Sequence, residues 1–332
     1  MLLSFVIPHY NLQRELLQRC IDSIATLSMP ASDYEIVIVD DGSDTPPQWV
    51  SQAFPQTSIK VIEAGHGGPG AARNRGIEEA EGEYIQFIDA DDSIIPEVFS
   101  HCTELLKNQR PDILQHGYRV CNSSEQMLQK TAIRRKYRTY ATGAEYVSHN
   151  NLSGSPCVYI FKRELTTKFN IRFAENVMHE DEDFNIKIYH YGNKLILCNN
   201  IAYNYYQREN SITVNRDSLH EIQRISDLFK LLQRVVDFRF AQQEVCTLQQ
   251  RAALNRKLAM LTVDTLINLF YNGECAGLIS HTCRTELRPL GLYPLPTAHY
   301  SLKYTVFRIL ANSNIGIKIL RRMLPMQKPQ KR

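Results

Sequence analysis

Along the first part of the chain, short apolar runs alternate with stretches whose apolar residues recur every three or four positions. The runs at 2–7, 35–39, 59–62 and 84–88 read as buried strands. Between them, Leu16, Leu17, Cys20, Ile21 and Ile24 repeat at helical spacing, and 71–80 reads as a second helix entered through Pro69 and Gly70. Strands and helices alternating at this pitch predict an α/β domain with a mainly parallel sheet flanked by helices. The stretch 96–206 mixes strands at 113–116, 158–161 and 195–198 with helices. From Asp217 the pattern turns helical. Ile222, Ile225, Phe229, Leu232, Val235 and Val236 share one face, and Leu254, Leu258, Leu261, Thr265, Ile267 and Leu269 another. The change of period divides the chain into an α/β domain, 1–215, and a helical C-terminal region, 216–332.

The polar clusters fall where the strands end. Pro8-His9-Tyr10-Asn11, Asp40-Asp41-Gly42-Ser43, a glycine-rich stretch at 65–70 and Asp89-Ala90-Asp91-Asp92 each follow an apolar run. In an open α/β sheet that edge is where ligands bind, so the four loops are expected to converge on one crevice. Gly65, Gly67 and Gly70 match the spacing of a dinucleotide-binding turn, with an acid, Asp89, about 20 residues further on. The match is coincidental. It follows the third strand rather than the first, Pro69 lies inside it, and Asp89 belongs to a group of three carboxylates. Arg73, Asn74 and Arg75 follow on the first turns of the helix, where they can meet phosphate or base.

Three carboxylates crowded at Asp89, Asp91 and Asp92 repel one another unless a cation neutralises them. Mg²⁺ or Mn²⁺ takes such hard oxygen ligands and fills its shell with water and substrate phosphates. Asp41, on a tight Asp-Gly turn, is suited to accept hydrogen bonds from a base edge or a ribose hydroxyl. Further along, "HEDEDF" (179–184) packs four acids into what reads as the start of a helix.

In this order, "SFVIPHYN", "EIVIVDDGSD", "GPGAARNRGIEEAEGEYIQFIDADD" and "HEDEDF" resemble the motif set of family 2 glycosyltransferases with a GT-A fold, over about the first 215 residues. The resemblance implies transfer of a sugar from a nucleotide diphosphate donor with inversion at the anomeric carbon. It implies that Pro8, Tyr10, Asn11 and Asp41 hold the base and ribose, joined by Arg73 and Asn74. Asp89, Ala90 and Asp91 would form the D-x-D element, Asp91 being the main metal ligand, Asp89 the second and Asp92 a rival. An inverting transfer needs a carboxylate that removes the acceptor hydroxyl's proton. Asp181 is the choice, supported by Glu180, with Asp183 as rival. Arg208 in "RENSI" resembles a loop that closes over the donor diphosphate, a role for which guanidinium is suited. Tyr203, Tyr205 and Tyr206 read as core or as a sugar-stacking wall.

Composition narrows the partners. The 332 residues are 43% hydrophobic and 22% charged, ordinary for a folded chain. A formal net charge of +3 calls for no nucleic acid. The eight cysteines form no C-x-x-C pair and read as reduced, mostly buried thiols. The N-terminus lacks a basic leader and a cleavage site, and no apolar run is long enough to span a bilayer, so a cytoplasmic protein is expected. The last stretch, 303–332, carries eight basic residues and no acid. Its alternation of apolar and basic positions predicts an amphipathic segment on the inner face of a membrane, where a lipid-linked acceptor would be met. Set against the transferase are a sugar-nucleotide-binding module without catalysis and, more remotely, a nicotinamide-dependent dehydrogenase.

Overall fold

The computed structural model describes residues 1–121, 136–207 and 218–324. Its strands are β1 (Leu3–His9), β2 (Tyr34–Asp40), β3 (Ile59–Glu63), β4 (Tyr84–Phe87), β5 (Ser93–Ile94), β6 (Ile113–Cys121), β7 (Tyr137–Tyr140), β8 (Tyr159–Lys162) and β9 (Leu195–Tyr206). The helices are α1 (Arg14–Ala25), α2 (Trp49–Ala53), α3 (Gly68–Glu79), α4 (Pro96–Gln109), α5 (Gly143–His149), α6 (Glu164–Lys168) and α7 (Glu180–Tyr191). They continue with α8 (Ser218–Ala241), α9 (Leu248–Tyr271), α10 (Ala276–Thr282), α11 (Leu302–Ala311) and α12 (Asn314–Met323). The chain forms two compact units, one of Met1–Gly143 with Ser153–Ser211, the other of Ala144–Leu152 with Ile212–Arg332.

In the first unit the strands make one sheet in the order β3-β2-β1-β4-β8-β6-β9-β5, with β7 also on β9. The four strands legible as apolar runs are parallel to one another. Beyond β4 the sheet becomes mixed, because β8 runs antiparallel to both β4 and β6. β1 and β2 are buried almost throughout, as strands covered on both faces must be. Helix α1 turns Leu17, Cys20, Ile21 and Ile24 inward, as their spacing predicts. The fold class is the α/β, GT-A type expected, with a helical C-terminal region.

Register then places the polar loops. His9 lies opposite Asp40 and Asp40 opposite Glu63, so β1, β2 and β3 end at the same edge. Strands β2 and β3 are added on one side of β1 and β4 on the other. The order reverses at β1, which opens a crevice beyond the strand ends.

In the second unit, α8 and α9 carry the long apolar faces. On α8, Leu232 and Val235 are buried as expected, together with Leu228 and Leu231, whereas Ile225, Phe229 and Val236 are half-buried and Ile222 is 66% exposed. Two sets with helical spacing overlap along this helix, and packing selects the leucine-rich one. On α9, Leu254, Leu258, Leu261, Thr265 and Leu269 are buried as expected, whereas Leu266 takes the inward place assigned to Ile267. A capping box at Thr247 and Gln250 starts α9 by satisfying two of its otherwise unpaired backbone donors. All eight cysteines are unbridged, and five of them are buried.

Candidate active site

The ends of β1 and β2 are tied together by buried polar bonds. His9 Nδ1 lies 2.7 Å from Asp40 Oδ1, and Asp40 also accepts from the Ser43 hydroxyl at 2.6 Å and its N–H at 3.0 Å. Burial works against the Asp40 charge, but the bonds from Ser43 and His9 prevail and hold its pKa below the usual range. Asn11, in the left-handed region at φ 43°, receives Asp44 N–H on its side-chain oxygen at 2.9 Å and donates its own N–H to Ser43 Oγ. Pro8 is half-buried as the penultimate residue of β1. Tyr10 is 49% exposed with its ring against His66, centroids 4.5 Å apart.

The glycine stretch serves the protein's own packing. Asp41 is buried and accepts from Gly67 N–H at 2.8 Å and Gly68 N–H at 2.9 Å, so its carboxylate caps α3. These are the amides that a dinucleotide turn would offer to a pyrophosphate. A Cβ on Gly70 would lie 2.5 Å from the Ala174 carbonyl oxygen, so only glycine admits that close approach. Asn74 binds the same segment, donating to Phe173 O and Glu175 Oε1 and accepting from Phe173 N–H. Arg75 is half exposed and pairs with Glu79 on its own helix at 2.6 Å.

At the end of β4 the three aspartates part company. Asp92 is 1% exposed and accepts from the Tyr203 hydroxyl at 2.7 Å and from Tyr206 N–H at 2.8 Å. Burial, with the charges of Asp89 and Asp91, pushes its pKa up to about 8. Asp91 is half-buried, and its carbonyl accepts from Arg19 of α1. The Asp89 side chain is 36% exposed. Ala90, buried, fills the turn between them.

Arg73 joins this turn to the start of α7. Its guanidinium donates to Asp89 Oδ1 at 3.0 Å and to Glu180 Oε1 at 2.8 Å. Burial opposes its charge, yet the carboxylates of Asp89 and Glu180 hold it firmly protonated. Glu180 is the first residue of α7, after His179 in the left-handed region at φ 62°. Asp181 follows on the same first turn and is half-buried, whereas Asp183 is 2% exposed and bonded to Lys187 at 2.9 Å. A Cβ on Gly154 would lie 3.0 Å from Glu182 Oε1 and 3.8 Å from Asp181 Oδ2. A bare backbone segment thus passes beside these two carboxylates.

The expected residues around Asp89, Arg73 and Glu180 are therefore brought together by direct contact, and Asp181 and Asp91 are their chain neighbours. Asp41 and Asn74 spend their polar groups on the chain itself, and Arg208 lies outside the described residues. Sequence reasoning missed Arg19 and the part played by Tyr203. The Tyr203 hydroxyl receives Asp89 N–H at 3.2 Å and donates to Asp92, so a buried tyrosine braces the acidic turn. Arg19, stacked 3.7 Å from the Tyr206 ring, showed in the sequence only as a basic position next to the buried Cys20.

Among the described residues no group of three or more His, Cys, Asp or Glu side chains is arranged to hold a metal ion. The acidic turn instead fits an ion bound mainly through its substrate. Mg²⁺ and Mn²⁺ sites of that kind need one or two carboxylates plus phosphate oxygens. Asp91 and Asp89 are partly open at a strand end.

Residues 4–168 match the model of glycosyl transferase family 2, and the chain belongs to that family. It is 28% identical over 219 residues to the uncharacterized glycosyltransferase EpsJ of Bacillus subtilis, covering 64% of this chain and 63% of that one. It is 26% identical over 240 residues to the poly(ribitol-phosphate) beta-N-acetylglucosaminyltransferase TarS of Staphylococcus aureus, covering 67% of this chain and 39% of TarS. The chain thus matches less than two thirds of the length of either relative. The crystal structure of TarS 1–349 in complex with UDP-GlcNAc superposes with a TM-score of 0.66 at 19% identity, covering 97% of this chain and 89% of that one. The mannosyltransferase PcManGT of Pyrobaculum calidifontis, in complex with GDP-Man and Mn²⁺, superposes with a TM-score of 0.53 at 17% identity, covering 96% and 86%. At these identities the likeness is one of fold.

Proposed function

We propose that the protein is an inverting glycosyltransferase that moves a sugar from a UDP-sugar to a hydroxyl of a glycan or lipid-linked acceptor, in the assembly of a bacterial surface polysaccharide. The observation that carries this reading is the Arg73 bridge. It joins the acidic turn of a nucleotide site to the acidic start of α7, so that donor and acceptor chemistry share one cleft.

In this reading Pro8, Tyr10 and Asn11 line the base and ribose end, with Tyr10 presenting an exposed ring. Asp41 holds that loop against α3. Asp91 and Asp89 are the residues that would hold a divalent ion. When bound, that ion would neutralise charge on the departing nucleoside diphosphate. The Asp181 carboxylate takes the proton of the acceptor hydroxyl while that oxygen bonds to the anomeric carbon from the face opposite the diphosphate. The bond from carbon to diphosphate oxygen breaks, and the configuration inverts. Asp183, buried against Lys187, is the poorer base. Glu180 is held by Arg73 and keeps the first turn of α7 in place. Arg208 is assigned to the diphosphate by its motif alone.

The UDP choice draws on the donor seen with TarS, and the divalent ion on the Mn²⁺ seen with PcManGT. Isothermal titration with UDP, GDP and NAD, each with and without Mn²⁺, tests both. Metal-dependent binding of UDP with none of NAD is expected, and binding of NAD alone refutes the reading. Sugar-nucleotide screening for acceptor-stimulated release of UDP then identifies the donor.

A further inference from the structure

Helices α11 and α12 are consecutive, each ten residues long, and each starts at a serine cap, Ser301 and Ser313. They pack closely, since a Cβ on Gly316 would overlap the Leu310 carbonyl. In α11, Tyr304 and Ala311 are buried, while Leu302, Val306 and Ile309 are exposed, Leu302 by 81%. At about 100° per residue the exposed trio lies on the side of the helix opposite the buried pair. In α12, Gly316, Ile317 and Leu320 face inward, and Ile315, Ile319 and Met323 are exposed, Ile315 by 74%. Lys318 and Arg322, both exposed, adjoin this second trio. No helix among the described residues is long and apolar enough to cross a membrane.

An ordinary surface helix places polar residues opposite its buried stripe. Helix α11 places aliphatic ones there, whereas α12 carries Ile315, Ile319 and Met323 along a flank beside its buried stripe, with Lys318 and Arg322 opposite that stripe. The charges of the stretch itself have a single sign: 301–324 contains Lys303, Arg308, Lys318, Arg321 and Arg322 and no acid. We propose that the α11–α12 pair is an interfacial anchor for an anionic bilayer, its aliphatic side chains entering the acyl boundary and its basic ones reaching phosphate headgroups. Lys and Arg stems suit this arrangement because they cover apolar surface while the charged end stays in the polar layer. The inference sharpens the membrane contact expected of the basic tail to two defined helix faces, and it does not depend on the transferase reading.

Flotation of the full-length chain tests it, using vesicles of phosphatidylcholine alone and of equimolar phosphatidylcholine and phosphatidylglycerol. The protein should float with the mixed vesicles and remain below with the neutral ones. The Ile315→Ser/Ile319→Ser pair should abolish flotation. The Lys318→Gln/Arg322→Gln pair should weaken partitioning by about thirty-fold, two surface cations' worth, and raised salt should reproduce part of that loss. All four positions are exposed, so circular dichroism and thermal unfolding should match the parent; should the serine pair unfold, the glutamine pair still decides. Equal recovery with both vesicle types, or variants that float like the parent, overturns the proposal. So does a dimer that the serine pair dissociates when no vesicle binding is seen, which makes the face a contact between copies. UDP titration on the same samples reads the transferase site separately.

Discussion

Two acidic clusters look alike as strings, Asp89-Ala90-Asp91-Asp92 and Glu180-Asp181-Glu182-Asp183, and the fold divides each in the same way. One acid of each is withdrawn from solvent and bonded to the protein, Asp92 to Tyr203 and Tyr206, Asp183 to Lys187. One of each, Asp89 and Glu180, grips Arg73. Asp91 in the first cluster, and Asp181 and Glu182 in the second, stay half-buried. The means differ. A turn between strands has no neighbour one helical turn away, so it borrows a phenol and a backbone N–H from β9. A helix start has such a neighbour, and Lys187 supplies the counter-charge at i+4. Burial, rather than local composition, separates the acids withdrawn into the structure from those proposed to serve chemistry.

That division can be attacked at several points. Asp181→Asn should do most harm, lowering kcat by about 10²–10⁴-fold while leaving UDP affinity unchanged in titration. If Asp183→Asn is the more damaging of the two, the assignment within α7 is reversed. Asp91→Asn should lower turnover and raise the Kd for UDP in the presence of Mn²⁺ by about ten- to a hundredfold, the loss of one charged contact. Arg73→Met should destabilise the fold by about 3 kcal/mol in denaturant titrations, near the lower end for a broken buried pair because Asp89 is partly exposed. It should also depress activity, since both acidic elements lose their common partner. The smallest effects belong to the withdrawn acids. Asp183→Asn and Asp92→Asn should each change stability by about 1 kcal/mol and kcat by only a few-fold. A large catalytic loss from Asp92→Asn would show that burial does not sort this turn.

Much of the architecture was legible. The apolar runs of β1 to β4 and the helical spacing of α1 stand in the structure where the pattern put them; β1, β2 and β4 are buried as strands covered on both faces must be, whereas β3, at the sheet edge, is only half-buried. The mixed half of the sheet was less plain, since the direction of β8 depends on connections that no local period encodes. In α8 the inward face was misjudged at its first turns, though not at Leu232 and Val235, because two overlapping apolar sets both have helical spacing. Within the candidate site, the loops at the strand ends and the acidic start of α7 were all visible as motifs. The partners of Arg73 were not, because Glu180 lies 107 positions away from it. Tyr203 likewise looked like core until its hydroxyl was found between Asp89 and Asp92, 114 and 111 positions distant.

What the sequence determined by itself was the alternation of strand and helix, the placing of polar loops at strand ends, and the inventory of acids and bases there. Those follow from period and composition, which act within a few residues. Which aspartate is buried, which glycine amides are already bound, and which arginine holds two acidic elements in one cleft were decided by tertiary structure alone. Desolvation and hydrogen bonding depend on groups brought together across the chain, and only the closed fold brings them together.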